Sequence, residues 1–228
     1  MRAAAALACL GFAAAGLALA QDPELVPAIG AMRMGDFAQA IEALKPRADK
    51  GNTEAQYLLG VALEAARDDR RDLEGARSYY LKAANAGHAG AQNSLGTMYY
   101  DGRGVAVDMA EAMRWYRAAA EQGYPQAEYN LALMYGMGIG TRRDDRQMVA
   151  WLQKAAAAGV AGAQAQLARS YLRGAGVARD LDAAHAWFLK AAEAGFKPAM
   201  KELATIYEMG LGVPADAEKA RLWKERSQ

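Results

Sequence analysis

Apolar and small residues return along this chain on two nested periods. Over short stretches they recur every three to four residues, as on one face of a helix. Over a longer range the whole pattern repeats every 36 residues, marked by glycines at 51, 87, 123, 159 and 195. Counted from each glycine, offset four is Ala55, Ala91, Ala127, Ala163 and Ala199. Offset eight is Leu59, Leu95, Leu131, Leu167 and Leu203, and offset twelve is Leu63, Tyr99, Tyr135, Tyr171 and Tyr207. These offsets share one helical face. The second half of each unit opens at an aspartate (Asp72, Asp108, Asp144, Asp180, Asp216), followed seven residues on by Tyr79, Trp115, Trp151, Trp187 or Trp223. Paired alanines at 83–84, 119–120, 155–156 and 191–192 then trace a second helical stripe. The spacing predicts two helices per unit, A and B.

The punctuation between helices follows from backbone chemistry. Gly102/Gly104, Gly138/Gly140, Gly174/Gly176 and Gly210/Gly212 form Gly-x-Gly pairs. The first of each is placed to stop helix A in the left-handed conformation, which glycine adopts without a Cβ clash. The aspartate is then an N-cap for helix B. Asp108 with Glu111, and Asp144 with Gln147, have the spacing of a capping box. In the first unit Ala66 and Asp68 stand where the glycine pair belongs, within the link Arg67–Arg71. Upstream, Asp36, Ala40 and Gly51 sit one period before Asp72, Ala76 and Gly87, so residues 21–50 are expected to form a degenerate helix pair that caps the array. Lys219, Arg221, Lys224, Glu225 and Arg226 make the last helix polar enough to end it against water.

A single helix pair cannot bury its apolar faces, whereas stacked pairs can. The fold class expected is therefore all-α, an α-solenoid of antiparallel helix pairs. Five repeats fill 51–86, 87–122, 123–158, 159–194 and 195–228. Trp151 is expected in the core between repeats, where truncation to alanine costs about 3–5 kcal/mol.

The second unit carries Ala91-Gln92, Leu95-Gly96, Tyr99, Gly102-x-Gly104-Val105, Asp108, Ala112, Trp115 and Ala119-Ala120. This resembles the Sel-one-like repeat, a relative of the tetratricopeptide repeat, over residues 51–228. The resemblance implies a right-handed superhelix that mediates protein–protein contacts, in bacteria often outside the cytoplasm. Superposed on a tetratricopeptide-like pair, helix A lines the concave side, and offsets 3, 6, 7, 10, 13 and 14 face a groove. Those positions vary between units. They supply the candidate binding residues Tyr57, Asn93, Thr97, Tyr100, Tyr129, Asn130, Arg169, Arg173 and Lys201. Tyrosine and arginine are frequent interface anchors.

Composition narrows the role further. Of the 228 residues, 27 are basic and 26 acidic, so the chain lacks the excess positive charge of a nucleic-acid binder. Two histidines and one cysteine leave too few ligands for a zinc or iron–sulfur centre, and no cofactor is expected. Arg2 followed by an apolar run to Ala18-Leu19-Ala20 reads as a cleaved secretory signal over residues 1–20. The expected mature protein starts at Gln21, has lost Cys9, and resides in the periplasm or outside the cell without stable membrane insertion. No metalloprotease, nucleophile-elbow, phosphate-loop or calcium-loop motif is present, and His88 and His185 occupy unrelated offsets. Catalysis is not expected. Some exported proteins with such repeats bind or weakly cleave β-lactams, but they carry a cysteine pair per repeat, which this chain lacks. The reading is an interaction scaffold or adaptor for an envelope protein, such as the periplasmic part of a sensor. The alternative is a cell-wall or secretion-associated adaptor.

Overall fold

The computed structural model describes residues 22–67 and 71–228. The expected signal over 1–20, Cys9, the start at Gln21 and residues 68–70 of the first link lie outside the described residues. Among these, the chain forms twelve α-helices and no strand, after a short 3-10 turn at Pro23–Leu25. The described residues divide into two compact units, 22–122 (without 68–70) and 123–228.

The N-terminal unit holds α1 (Val26–Met34), α2 (Phe37–Asp49), α3 (Thr53–Ala65), α4 (Leu73–Asn85), α5 (Ala89–Asp101) and α6 (Met109–Glu121). Helices α1 and α2 pair ahead of the first repeat, joined at Gly35 in the left-handed conformation and burying Leu25, Ile29, Met32 and Leu44. The C-terminal unit holds α7 (Pro125–Met137), α8 (Asp145–Ala157), α9 (Ala161–Arg173), α10 (Leu181–Glu193), α11 (Lys197–Met209) and α12 (Ala217–Arg226). Within each unit every helix packs on the next along the chain. From α3 onwards, odd-numbered helices are the A helices and even-numbered ones the B helices.

The frame positions behave alike in all five repeats. The offset-four alanines and offset-eight leucines are fully buried, as are the paired alanines of the B helices. Small residues there let A and B helices approach closely, and the leucines fill the remaining space. Asp36, Asp72, Asp108, Asp144, Asp180 and Asp216 all cap a following helix, each accepting from a backbone N–H in its first turn. The reciprocal half of the expected capping box does not form. The backbone N–H groups of Asp108 and Asp144 donate instead to the carbonyls of Tyr99 and Tyr135 (3.0 and 2.9 Å), and Glu111 turns to Arg114. The aspartate is tied back onto helix A, so its N–H has no need of a glutamate.

Both glycines of the Gly-x-Gly pair are required, for different reasons. Gly174 ends α9 at φ 71°. Gly176 passes the start of α8 so closely that a Cβ would stand 2.0 Å from the Asp145 carbonyl oxygen. The second glycine thus packs one repeat on its predecessor.

The tryptophan column meets the expectation in part: Trp115 and Trp223 are buried in the core. Trp151 and Trp187 are only half-buried, with Lys154 and Lys190 lying 4.0 and 4.3 Å over their rings. The fully buried column is one residue later: Tyr80, Tyr116, Leu152 and Phe188. A one-residue step turns a helical side chain by about 100°, which points this later residue to the centre of the pair. In two repeats this inner residue packs directly on a glycine of helix A. Tyr80 and Tyr116 face Gly60 and Gly96, where a Cβ would meet each ring at 2.6 Å. Leu152 and Phe188 belong to repeats with Ala132 and Ala168 at the same offset.

A second recurrent bond sits one residue after the frame alanine. Gln56, Gln92 and Gln164 donate Nε2 to the carbonyls of Ala48, Ala84 and Ala156, at 3.0, 3.1 and 3.2 Å. The third repeat has Glu128 there, 5% exposed. Its burial pushes the carboxyl pKa up, opposed by the positive charge of Lys154.

Candidate functional site

The nine candidate residues fall into two groups. Tyr57, buried to 8% exposure, stacks on His88 with ring centroids 4.4 Å apart and closes over Gly90. His88 Nδ1 accepts from the Ala91 N–H to cap α5, which leaves its other nitrogen protonated to donate to Glu54 at 3.0 Å. Tyr129 repeats the arrangement in the C-terminal unit: a Cβ on Gly162 would lie 3.0 Å from its hydroxyl oxygen. Burial raises its phenol pKa, partly offset by Arg169. These tyrosines fill the joints between successive A helices. They were expected as open anchors, and the missed signal is a complementary pair: tyrosine at offset six with glycine at offset three of the next repeat. Thr97 likewise serves the interior, accepting from the Tyr116 hydroxyl at 3.1 Å while donating to the Asn93 carbonyl. Tyr100, Asn93 and Asn130 are half-buried, and Asn130 accepts from Gln126 at 3.3 Å.

Arg169, Arg173 and Lys201 remain on the accessible side. Arg169 donates to Gln166 at 2.6 Å and to Glu202 at 3.0 Å, linking α9 to α11. Lys201 is exposed. Arg173 is exposed at the rim of a cleft of about 210 Å³. Leu133, Gly136 and Met137 of α7 form one wall of this cleft, and Gln166, Arg169, Ser170 and Arg173 of α9 the other. Arg143, Asp145, Met148 and Ala175 complete it. Arg143 is held by Asp145 through two hydrogen bonds of 2.9 and 3.0 Å, which lowers the Asp145 pKa.

The equivalent joint of the N-terminal unit, between α3 and α5, is bridged by side chains. Glu64 occupies it, accepting from the Tyr80 hydroxyl at 2.9 Å and pairing with Arg103, which also lies 3.3 Å from Asp101. Counted by offset, Glu64 corresponds to Gly136, Tyr80 to Leu152, Arg103 to Ala175, and Asp101 to Arg173. Among the described residues no cluster of acidic, histidine or cysteine side chains could hold a metal ion, and no helix is long and apolar enough to cross a membrane.

The repeated helix pairs, their caps and their buried frame define an α-solenoid protein. The Sel1 repeat family model matches residues 53–88, 89–124, 125–160, 161–196 and 197–227, and the chain belongs to that family. It is similar to a Sel1 repeat protein from Oxalobacter formigenes, at 33% identity and TM-score 0.82, over 90% of this chain and 81% of that one. It is also similar to c5321, a protective antigen of uropathogenic Escherichia coli with this fold. That match has 35% identity and TM-score 0.79 and covers 84% of this chain but only 41% of the antigen. The immunity protein Pa5087 from Pseudomonas aeruginosa shares the fold at 15% identity and TM-score 0.55, over 84% of this chain and 73% of that one. No curated protein matches the sequence significantly. Sel1 repeat folds are scaffolds for protein–protein contacts and are in general non-enzymatic.

Proposed function

We propose that this protein is exported and acts in the periplasm as a non-enzymatic adaptor, holding a segment of an envelope protein along the faces of its A helices. A membrane sensor with a periplasmic portion is the partner class that this reading favours. One observation carries it. The offset-four alanines and offset-eight leucines are identical and buried from repeat to repeat, whereas the accessible positions of the A helices vary between repeats, as at Asn93, Asn130, Arg169, Arg173 and Lys201. Repetition of the frame provides a platform, and variation on its open face provides specificity.

The test is in-cell cross-linking of the epitope-tagged chain, followed by affinity isolation from the periplasmic fraction and intact-mass measurement. The expected result is a chain that begins at Gln21 and carries a defined envelope protein in stoichiometric yield. A chain that retains residues 1–20, or one that cross-links to no protein above background, removes the reading.

A further inference from the structure

We infer that the cleft between α7 and α9 receives a glutamate side chain presented by a partner polypeptide. The inference rests on the scaffold reading above and adds the chemistry of what is held. In the first joint the protein supplies that glutamate itself: Glu64 sits between α3 and α5, bonded to Tyr80 and Arg103. The third joint keeps the same buried frame, but Gly136, Leu152 and Ala175 replace the three bridging residues. No internal carboxylate bridges the third joint: Met148 packs against Gly136, where a Cβ would meet its sulfur at 2.5 Å, and the cleft opens beside it, lined by arginines.

Size, charge and lining agree on the occupant. Pockets for drug-sized molecules span roughly 300–1,000 Å³, so a cleft of about 210 Å³ suits a side chain. Three arginines line it against the single carboxylate of Asp145. Arg143 is committed to that carboxylate, and Arg169 is shared between Gln166 and Glu202. Arg173 has no carboxylate within ion-pair distance among the described residues. It stands where the second repeat has Asp101, so the sign of the rim is reversed. A guanidinium group binds a carboxylate through paired, charge-assisted hydrogen bonds. Leu133, Met137 and Met148 provide an apolar wall for the methylenes that lead to that carboxylate. Met137 is 54% exposed and Met148 is flexible, so the wall can mould to a side chain that enters it. A bare anion would leave that wall uncovered.

A fluorescein-labelled peptide of alternating glutamate and leucine tests this, beside a counterpart with glutamine in place of glutamate. Both are titrated with the purified protein and read by fluorescence anisotropy. The glutamate peptide should bind, with the glutamine peptide at least about tenfold weaker, as expected for loss of a charge-assisted hydrogen bond. Arg173→Gln, on an exposed side chain, should erase that discrimination and leave the glutamine peptide unaffected. Gly136→Glu, which restores an internal carboxylate as in the first joint, should abolish binding of the glutamate peptide, with circular dichroism confirming retained helix. Absence of binding by the parent, equal binding of the two peptides, or discrimination that survives Arg173→Gln overturns the inference. The scaffold reading fails separately. A cross-linked partner that binds Arg173→Gln as tightly as the parent keeps the scaffold and overturns the cleft. Glutamate discrimination without any cellular partner sustains the cleft and removes the scaffold role.

Discussion

The first and third joints start alike and finish differently. Both are closed at one end by a tyrosine over a glycine of the next repeat, Tyr57 over Gly90 and Tyr129 over Gly162. Further along, the first joint is filled by Glu64, Arg103 and the Tyr80 hydroxyl, whereas the third is open and lined by arginines. A partly buried ion pair adds little net stability, because desolvation offsets its attraction. The bridge can therefore be lost without loss of the stack, whose stability comes from the repeated apolar frame on either side. In a solenoid each repeat leans only on its neighbours, so one joint can become a site while the others remain structural.

The strongest way to break this comparison is to remove the inner aromatic of the filled joint. Tyr80 is fully buried and satisfies Glu64. Tyr80→Ala should cost about 3–5 kcal/mol in denaturant unfolding, from the cavity and the stranded carboxylate together. Leu152→Ala, at the same offset in the open joint, has no hydroxyl to lose and should fall towards the lower end of about 2–5 kcal/mol. Equal costs would mean that the Tyr80–Glu64 bond contributes nothing.

Size matching gives the next effect. A Cβ on Gly60 would meet the Tyr80 ring at 2.6 Å, so Gly60→Ala should destabilise by about 1–3 kcal/mol through overpacking. The third repeat combines Ala132 with the smaller inner residue Leu152. Combining Gly60→Ala with Tyr80→Leu should thus cost less than the sum of the single changes, by at least about 0.5 kcal/mol. Strict additivity in that cycle would show that the two positions are independent.

Much of this architecture was legible in the sequence, because the frame is written in identities that repeat: the glycines, the aspartate caps and the alanine and leucine stripes. Local backbone chemistry fixed these. What escaped was pairwise. The 36-residue period points to the tryptophan column, which is buried at Trp115 and Trp223 but only half-buried at Trp151 and Trp187, whereas the buried position one residue later varies between Tyr80, Leu152 and Phe188. Where it is Tyr80 or Tyr116, it packs on Gly60 or Gly96 of the other helix, a contact that neither helix reveals alone. Tyr57 and Tyr129 read as exposed anchors for the same reason, since Gly90 and Gly162 lie in the following repeat. Arg169 and Arg173 could be placed on the accessible face from their offsets. The cleft beside them could not, because it depends on how Met148 and the arginines of separate elements pack around Gly136 and Ala175.

The glutamine ladder sharpens the comparison at lower energy. Gln56 donates to the Ala48 carbonyl in the first repeat, a bond that ionised Glu128 cannot donate at the same offset. Glu128→Gln should stabilise the protein at neutral pH by about 1 kcal/mol. The sign with pH follows from burial, which raises the Glu128 pKa in the folded state. The folded form then holds its proton more tightly than the unfolded form. The associated stability is present below the unfolded carboxyl pKa and is lost as pH rises through the raised folded value. Glu128→Gln should flatten that decline in thermal unfolding measured across the carboxylate range. A variant with the parent's slope would show that Glu128 does not titrate with folding.

The smallest effect concerns the cation beside that carboxylate. Lys154 lies 4.0 Å above the Trp151 ring and also opposes the rise of the Glu128 pKa, whereas Lys82, at the same offset in the first repeat, lies 4.6 Å above Tyr79. At a margin this exposed, a cation over an aromatic face is worth about 0.5–1 kcal/mol. Lys154→Met keeps a long apolar stem over Trp151 but removes the charge, so the loss at low pH, where Glu128 is protonated, should be only that contribution. As pH rises, the uncompensated carboxylate should lift its pKa further, and the deficit relative to the parent should widen through that higher range. In the Glu128→Gln background the same substitution should cost a constant amount at every pH. A pH-independent deficit in the Lys154→Met single variant would separate the two roles of Lys154 and leave it as a cap on Trp151 alone.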